Sequence, residues 1–552
     1  MLRYKLLSSL DKPFLDSKLD DFTPLRKLTM LRNERISVQL VLTDDSAAAP
    51  HRRFVGIKIE GVFAPYATKR TLESVPSAMP AYPGRSDENY LRTTPGLYPD
   101  LLAPMQMNGS AACVPGQLHS VWIDIDPMGA LPAGNYNLTV VLSDGAVTER
   151  AQLAVEVIAA DLPEQALRVT EWFHCDCLAS YYGVPVFSER HWEIIENFVR
   201  TAVRNGINML LTPVFTPPLD THIGGERPTV QLTGVKRTAD GWEFDFSRLD
   251  RWIDMCDRCG VKYFEISHLF TQWGALHAPK IVAETDEGEK KIFGWDRDTD
   301  ATSDEYTAFI RAFLGAFLAH MRARGDDSRC YFHISDEPNA AHLEQYLKAK
   351  ATVSDLLDGY PVMDALSDYE FYKTGAVTTP IPANNHIEPF IEGGVEPLWT
   401  YYCCGQGIGV SNRFLAMPGA RTRYIGVQFY KYRVFGFLQW GYNFYYNQGS
   451  YDPVNPYVDS TGNYFVPSGD AYSVYPATDG TALESMRIVQ FREAIDDLRA
   501  MELAGSLAGR DAVIAAIEEL TGEVVFSRCV CDSAAMLAIR ERINSIIADN
   551  VK

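Results

Sequence analysis

The N-terminal part of the chain alternates between apolar and polar positions with a period of two. The apolar positions of four segments, 36–42, 121–125, 136–142 and 153–157, each fall on one face. Asp144-Gly145 separates the last two segments and is a strong hairpin turn signal. Strands with one buried face and short turns predict an antiparallel β-sandwich over residues 1–160.

From Arg168 onward, short apolar segments alternate with amphipathic helical patterns. We predict strands at Arg168–Phe173, Ile207–Thr212, Val261–Ile266, Cys330–Ser335, Pro361–Asp364, Ala376–Pro380, Leu398–Tyr402 and Gly436–Trp440. The helical patterns cover His191–Arg204, Ser247–Cys259, Ser303–Arg324, Ala341–Leu357, Tyr424–Val434, Leu483–Met501, Arg510–Leu520 and Ala534–Ala548. This order predicts an α/β fold: a TIM-like (β/α)8 barrel over residues 165–505 and a helical extension over residues 506–552.

Composition narrows the possible functions. The chain has 552 residues and a net charge of −20, which disfavours a nucleic-acid partner. It contains no apolar run long enough to cross a membrane and no signal-peptide pattern at its start, so we expect a cytoplasmic protein. The ten cysteines are dispersed, and the one CxxC, Cys256 to Cys259, has no partner motif; we therefore expect neither metal nor cofactor. Aromatic residues make up 12%, which suits both cores and sugar-binding surfaces.

The strongest chemical signal is the sequence Asp336-Glu337-Pro338 at the end of the fourth predicted strand. Active sites of eight-stranded barrels lie at the carboxyl ends of the strands. Two carboxyl groups held close together there separate into an acid and an ionised partner, as a glycosidase requires. The alternative interpretation is a solvated pair that caps the next helix.

Other strand ends carry polar and aromatic side chains that could contact a substrate. They are Glu171, His174, His268, Trp273, Asp364, Trp399, Tyr401, Tyr402, Trp440, Tyr442 and Asn443. Trp and Tyr offer flat faces to the C–H side of a sugar ring, although any single ring could equally pack in the core. His333, inside the fourth strand, is predicted to be a hydrogen-bonded core histidine.

Three segments that contain some of these residues resemble the catalytic domain of glycoside hydrolase family 123. This family overlaps the bacterial group labelled domain of unknown function 4091. The segments are residues 268–275 (HLFTQWGA), 333–338 (HISDEP) and 436–443 (GFLQWGYN). The stretch from Tyr475 to Arg487, with Arg492, is similar to the C-terminal part of that group. The resemblance covers roughly residues 165–505.

The resemblance implies a retaining exo-β-N-acetylgalactosaminidase in which the 2-acetamido group of the substrate is the nucleophile. Glu337 would be the general acid/base, and Asp336 would orient the acetamido group and stabilise an oxazolinium intermediate. A tyrosine would hold the acetamido carbonyl, and Tyr401, Tyr402 and Tyr442 are all candidates. The expected partner is a carbohydrate; the sequence leaves the oligomeric state open.

Two alternatives remain at this point. A glycosidase of the same fold could act on a sugar without an acetamido group, with Glu171 or Asp364 as the enzyme nucleophile. A non-catalytic carbohydrate-binding protein could use the same sandwich and aromatic residues, although binding alone gives no reason for paired acids at a strand end.

Overall fold

The computed structural model describes residues 2–45, 52–105, 109–239, 241–295 and 299–551. The N-terminal part forms two five-stranded sheets, with strand orders β1-β3-β8-β5-β6 and β2-β10-β9-β4-β7. Their strands are β1 (Leu2–Ser8), β2 (Lys27–Leu31), β3 (Ile36–Asp44), β4 (Arg53–Glu60), β5 (Ala67–Ser77), β6 (Gly96–Pro104), β7 (Ser110–Cys113), β8 (His119–Ile125), β9 (Gly134–Ser143) and β10 (Thr148–Ile158).

The alternating pattern accounts for the core between these two sheets. Val38 and Leu40 of β3 pack with Leu138 and Val140 of β9 in one buried apolar cluster. The predicted hairpin at Asp144 is confirmed, because its carboxylate accepts the backbone N–H of residues 146 and 147 between β9 and β10. The pairing is antiparallel throughout except for β2, which runs parallel to β10.

The rest of the chain contains the predicted alternation of strands and helices. The strands are β11 (Arg168–Glu171), β12 (Met209–Thr212), β13 (Gly234–Thr238), β14 (Gly241–Asp245), β15 (Tyr263–Ile266), β16 (Ile281–Thr285), β17 (Gly288–Phe293), β18 (Cys330–Tyr331), β19 (Met363–Ala365), β20 (Thr379–Ile381), β21 (Trp399–Tyr401), β22 (Gly436–Gln439), β23 (Val474–Pro476) and β24 (Ala482–Glu484). The helices are α1 (Cys175–Tyr182), α2 (Glu189–Arg204), α3 (Ser247–Cys259), α4 (Asp304–Arg324), α5 (Leu343–Ala351), α6 (Glu370–Lys373), α7 (Glu388–Glu392), α8 (Gly419–Arg423), α9 (Ile425–Tyr432), α10 (Met486–Ala508), α11 (Arg510–Thr521) and α12 (Ser533–Asn550).

Each of the eight predicted strands has a counterpart. Six form one parallel sheet in the order β18-β15-β12-β11-β22-β21, and β19 and β20 form a parallel pair of their own. Single backbone bridges join Phe332 to Val362 and Ala383 to Tyr401, at the two borders between these sheets. The architecture is therefore mixed α/β, with a strongly curved parallel sheet.

The fourth strand is much shorter than predicted, because the chain turns after Phe332. The backbone N–H groups of Ile334 and Ser335 donate to the carboxylate of Asp364 on β19, at 3.0 and 3.2 Å, instead of continuing a strand ladder. This turn sets the direction of the residues that follow, including the predicted acid pair.

Local contacts set where the helices begin. Ser188 and Ser303 act as N-caps by accepting the backbone N–H groups of His191 and Tyr306, so α2 and α4 start close to the predicted positions. Helix α10 begins later than predicted because residues 482–484 form β24, which pairs with β23. A four-stranded sheet of order β14-β13-β16-β17 was not predicted; its strands lie between the predicted strands and helices.

The N-terminal sheet that contains β3 and β8 is buried on both faces, which corrects the expectation of one buried face. Trp122, on the second face of β8, packs into the core of the α/β part. Helix α10 lies against this face: Gln490 donates to the Ser9 carbonyl at 2.8 Å, and Arg492 donates to the Arg35 carbonyl at 2.6 Å.

The C-terminal helices connect the two parts of the chain. The Arg540 guanidinium on α12 contacts Glu34 of the N-terminal part at 2.7 Å and Asp497 on α10 at 2.8 Å, and all three side chains are buried. Within the described ranges, we find no helix with the length and apolar character needed to cross a membrane.

Candidate functional site

The predicted acid pair lies in the turn that follows β18. Glu337 has a backbone φ of +44°, a left-handed conformation that is uncommon for any residue except glycine. Its N–H donates to the Ala365 carbonyl at 3.0 Å, and the preceding Asp336 carbonyl accepts the N–H of Trp273 at 2.8 Å. Strained backbone held by such contacts is common at functional sites. It places one carboxyl group, Asp336, inside the protein and the next one, Glu337, at the surface.

Asp336 is a buried acid without a hydrogen-bond donor among the described residues. Only 7% of its surface is exposed. Burial raises the pKa of Asp336 well above its usual range, and the nearby charges of Glu337 and Asp220 raise it further. The buried carboxyl group is therefore more stable when it holds a proton or accepts a hydrogen bond.

Glu337 is the exposed member of the pair and is oriented by a tyrosine. The Tyr401 hydroxyl donates to Glu337 Oε1 at 2.9 Å. Burial raises the pKa of Tyr401 well above its usual value, and the charge of Glu337 acts in the same direction, so the phenol stays protonated and remains a donor. The Glu337 carboxyl group is thus held at the surface of the site by Tyr401, which is itself only 7% exposed.

A third acid, Asp220, was not identified from the sequence. It lies in the loop after β12, eight positions beyond the strand end, in a segment with no motif to mark it. Its φ is +44°, its carbonyl accepts the Ser450 hydroxyl at 2.7 Å, and its N–H donates to the Gln272 side chain. Burial raises the pKa of Asp220 to about 7; Arg227 opposes this rise and the charge of Glu337 adds to it.

Beneath the pair, a fully buried histidine bridges two carboxylates. His333 Nε2 lies 2.7 Å from Glu265 Oε1, and His333 Nδ1 lies 3.3 Å from Asp364 Oδ1. Burial alone would lower the pKa of His333, but the hydrogen bonds and charges of Asp364 and Glu265 raise it to about 9. The prediction that His333 is a hydrogen-bonded core histidine is confirmed, and it carries a positive charge at neutral pH.

Two further candidates belong to this buried support. Asp364 accepts the Tyr346 hydroxyl as well as the contacts above, and it is fully buried. The ring of His268 stacks on His333 with centroids 4.3 Å apart. Burial keeps the pKa of His268 well below its usual value, and the charge of His333 lowers it further, so His268 is neutral.

Glu171 and His174 are held within the protein rather than at its surface. Glu171 Oε1 lies 2.7 Å from Arg413 Nη1, and Glu171 Oε2 accepts the Ser473 hydroxyl at 2.9 Å. His174 contacts the Trp440 carbonyl at 3.0 Å, and Asn443 binds both backbone groups of His174. Burial lowers the pKa of His174 to about 3 and the charge of Arg227 acts in the same direction, so the ring stays neutral.

An arginine lies beside the two cysteines that follow His174, Cys175 and Cys177. The Arg227 guanidinium fills the space beside them and binds both carboxylate oxygens of Asp176 at 2.7 Å. Among the described residues, no three or more His, Cys, Asp or Glu side chains are arranged to hold a metal ion.

The aromatic candidates divide into surface rings and core rings. Trp273, 46% exposed, packs edge-on against Trp295. Trp440 and Tyr401 are mostly buried, and the Trp440 indole N–H donates to Asp470 at 2.8 Å. Trp399, Tyr402 and Tyr442 are completely buried, and the Tyr442 hydroxyl donates to a core carbonyl. Trp273 is therefore the most accessible of these rings, and the completely buried ones cannot meet a ligand in the described conformation.

Adjacent acids at strand ends, with an exposed indole nearby, form the kind of site that glycoside hydrolases use. Residues 172–504 match the family model "Glycoside hydrolase 123, catalytic domain", so the chain belongs to glycoside hydrolase family 123 and is a glycoside hydrolase. None of the curated proteins matches this chain.

A solved structure supports the fold over the full length. It is a family 123 glycoside hydrolase from Clostridium perfringens, described as acting in glycolipid glycan hydrolysis: TM-score 0.74, 16% identity, covering 100% of this chain and 98% of that one. The endo-β-1,4-mannanase of Thermotoga petrophila (TM-score 0.36, 12% identity, 62% of this chain and 78% of that one) is too distant to carry an argument.

Proposed function

We propose that this protein is a retaining exo-β-N-acetylgalactosaminidase that uses the 2-acetamido group of its substrate as the nucleophile. The observation that carries the proposal is the division between the two adjacent acids. Asp336 is buried without a donor, whereas Glu337 is exposed and held by Tyr401. A substrate-assisted mechanism needs such a division: one acid for the acetamido N–H and one for the glycosidic oxygen.

In the first step, Glu337 would donate a proton to the glycosidic oxygen while the acetamido carbonyl oxygen attacks C1. The aglycone leaves as an alcohol, and a cyclic oxazolinium forms. Asp336 would accept a hydrogen bond from the acetamido N–H and stabilise the positive charge. Its raised pKa makes the carboxylate a stronger acceptor for that proton.

In the second step, the Glu337 carboxylate would take a proton from water as that water attacks C1 and opens the ring. Two displacements at C1 retain the β configuration. Among the three tyrosines considered, Tyr401 is the one that reaches the acid pair; Tyr402 and Tyr442 are buried in the core.

The environments of the alternative nucleophiles support substrate assistance. Glu171 is paired with Arg413 and Asp364 is bound by His333 and Tyr346, and both acids are fully buried. Neither could attack a sugar carbon without losing a buried charge pair, which is strongly unfavourable.

We also infer that the eight parallel strands act as one (β/α)8 barrel over residues 165–505, following a sandwich domain (1–160) and followed by the helical extension (506–552). The two backbone bridges between the curved sheets support a continuous ring of strands. The acid pair would then lie at the carboxyl end of the fourth barrel strand, where catalytic residues of this fold occur.

The decisive experiment compares two leaving groups in wild type and Glu337→Gln. With a poorly activated aryl β-N-acetylgalactosaminide, the variant should lose about 10²–10⁴-fold in kcat, because protonation of the leaving group is lost. With a dinitrophenyl leaving group, the loss should be much smaller for the first step. Full activity of the variant on the poor leaving group would refute the role of Glu337.

Two further measurements test the substrate and the nucleophile. A thiazoline mimic of the oxazoline should inhibit wild type and bind Asp336→Asn less tightly. Hydrolysis of matched aryl N-acetylgalactosaminides, N-acetylglucosaminides and galactosides, followed by a glycolipid oligosaccharide ending in β-N-acetylgalactosamine, reports the specificity. Equal turnover of the galactoside would refute the need for the acetamido group.

A further inference from the structure

Asp220 is the point where the loops after four strands meet. Its N–H donates to Gln272 in the loop after β15, and its carbonyl accepts the hydroxyl of Ser450 in the loop after β22. The residue next to Gln272, Trp273, donates to the backbone of Asp336 in the loop after β18. Both backbone groups of Asp220 are therefore fixed relative to the acid pair.

The Asp220 side chain, in contrast, has no hydrogen-bond donor or ion-pair partner within the described ranges. It is half-buried, its charge acts on Asp336, and the charge of Glu337 acts on it. Asp336 also lacks a donor and is more than nine-tenths buried. The buried acids Asp176, Asp364, Asp470 and Glu171 each have a side-chain donor or ion-pair partner. Two neighbouring carboxyl groups without donors in the same protein indicate that a ligand supplies the missing donors.

We propose that Asp220 is a specificity-determining residue that accepts a hydrogen bond from one hydroxyl group of the terminal sugar. The proposal rests on the proposed function. In that mechanism Asp336 takes the acetamido N–H and Glu337 takes the glycosidic oxygen, so the ring hydroxyls still need an acceptor. A sugar is uncharged, and hydroxyl donors to a carboxylate are the strong contacts that it can offer.

The left-handed backbone at Asp220 decides which substitutions are informative. Asn tolerates a φ of +44° and removes only the charge, while Gly tolerates it and removes the whole side chain. Asp220→Asn and Asp220→Gly should therefore keep the loop in place. Asp286→Asn, in the exposed turn between β16 and β17, is the matched control.

The test is a cycle between protein variants and deoxygenated substrates. We would measure kcat/KM for an aryl β-N-acetylgalactosaminide and its 3-, 4- and 6-deoxy analogues. Asp220→Gly should lose about 10- to 100-fold on the parent sugar, as expected for one charge-assisted hydrogen bond. On the single analogue that lacks the partner hydroxyl, Asp220→Gly and wild type should react equally. Asp286→Asn should match wild type on every substrate.

Several outcomes would overturn the proposal. If kcat/KM of Asp220→Gly on the parent sugar is within twofold of the wild-type value, Asp220 does not contact the substrate. Equal losses on all four sugars would indicate a role other than reading one hydroxyl. Rescue of Asp220→Gly by azide, with a glycosyl azide as product, would identify Asp220 as a nucleophile instead.

A binding measurement separates this proposal from the proposed function. Calorimetric titration of free N-acetylgalactosamine into wild type and Asp220→Gly needs no turnover. Suppose that wild type hydrolyses no 2-acetamido glycoside but binds the sugar, and that Asp220→Gly binds it less tightly. The proposed function then fails, and the role of Asp220 stands. Equal dissociation constants in both proteins, or no binding to wild type, would overturn the role of Asp220.

Discussion

The buried histidine beneath the acid pair makes a quantitative prediction about stability. Folding raises the pKa of His333 from 6.5 to about 9, which corresponds to ~3 kcal/mol of folding free energy. Because the folded-state pKa is the higher one, this stabilisation is complete below pH 6.5 and is lost as pH rises through 9. His333→Gln can still donate one hydrogen bond, but it leaves Glu265 and Asp364 without a cation.

We expect His333→Gln to lower the free energy of unfolding by ~3 kcal/mol at pH 6 and by much less at pH 9.5, measured by urea denaturation at both pH values. Adding Glu265→Gln to the variant should restore part of the loss at pH 6. The control is His320→Gln, whose half-exposed contact with Asp250 should contribute less than ~1 kcal/mol. A loss for His333→Gln that is equal at both pH values, or larger at pH 9.5, would refute the assignment of a charged imidazolium.

Three further outcomes follow from the same contacts. Arg413→Met should lower the free energy of unfolding by ~3–5 kcal/mol, because it leaves the buried carboxylate of Glu171 without its ion-pair partner; an unchanged urea midpoint would contradict this. Trp273→Ala should raise KM several-fold with little change in the melting temperature, because nearly half of the indole is exposed; an unchanged KM would show that this ring does not contact the substrate. Tyr401→Phe should lower kcat about tenfold by releasing Glu337, with little change in stability; loss of folding instead would mean that the hydroxyl is structural.

The strands and the acid pair could be predicted because a few neighbouring residues determine them. A short apolar run predicts a strand, and Pro338 after two acids marks a strand end. These signals did not predict that β18 would end at Tyr331, since the turn depends on a carboxylate of a later strand, Asp364.

Contacts between distant parts of the chain also explain which site residues were predicted wrongly or missed. Glu171 and Tyr442 stand next to strand ends just as Trp273 does, but only the folded structure shows that their polar groups are used by an arginine and a core carbonyl. Asp220 was missed for the opposite reason. Its neighbours in sequence carry no motif, and it joins the site through contacts with two loops that are 52 and 230 residues away.

The double-sided burial of the N-terminal sheet has a consequence for biosynthesis. A ribosome makes β3 and β8 long before it makes α10, so we expect the part of this face that α10 covers to stay exposed until most of the polypeptide has emerged. A late helix thus covers part of an early sheet. We therefore expect nascent chains that end before residue 486 to expose this apolar face and to bind chaperones.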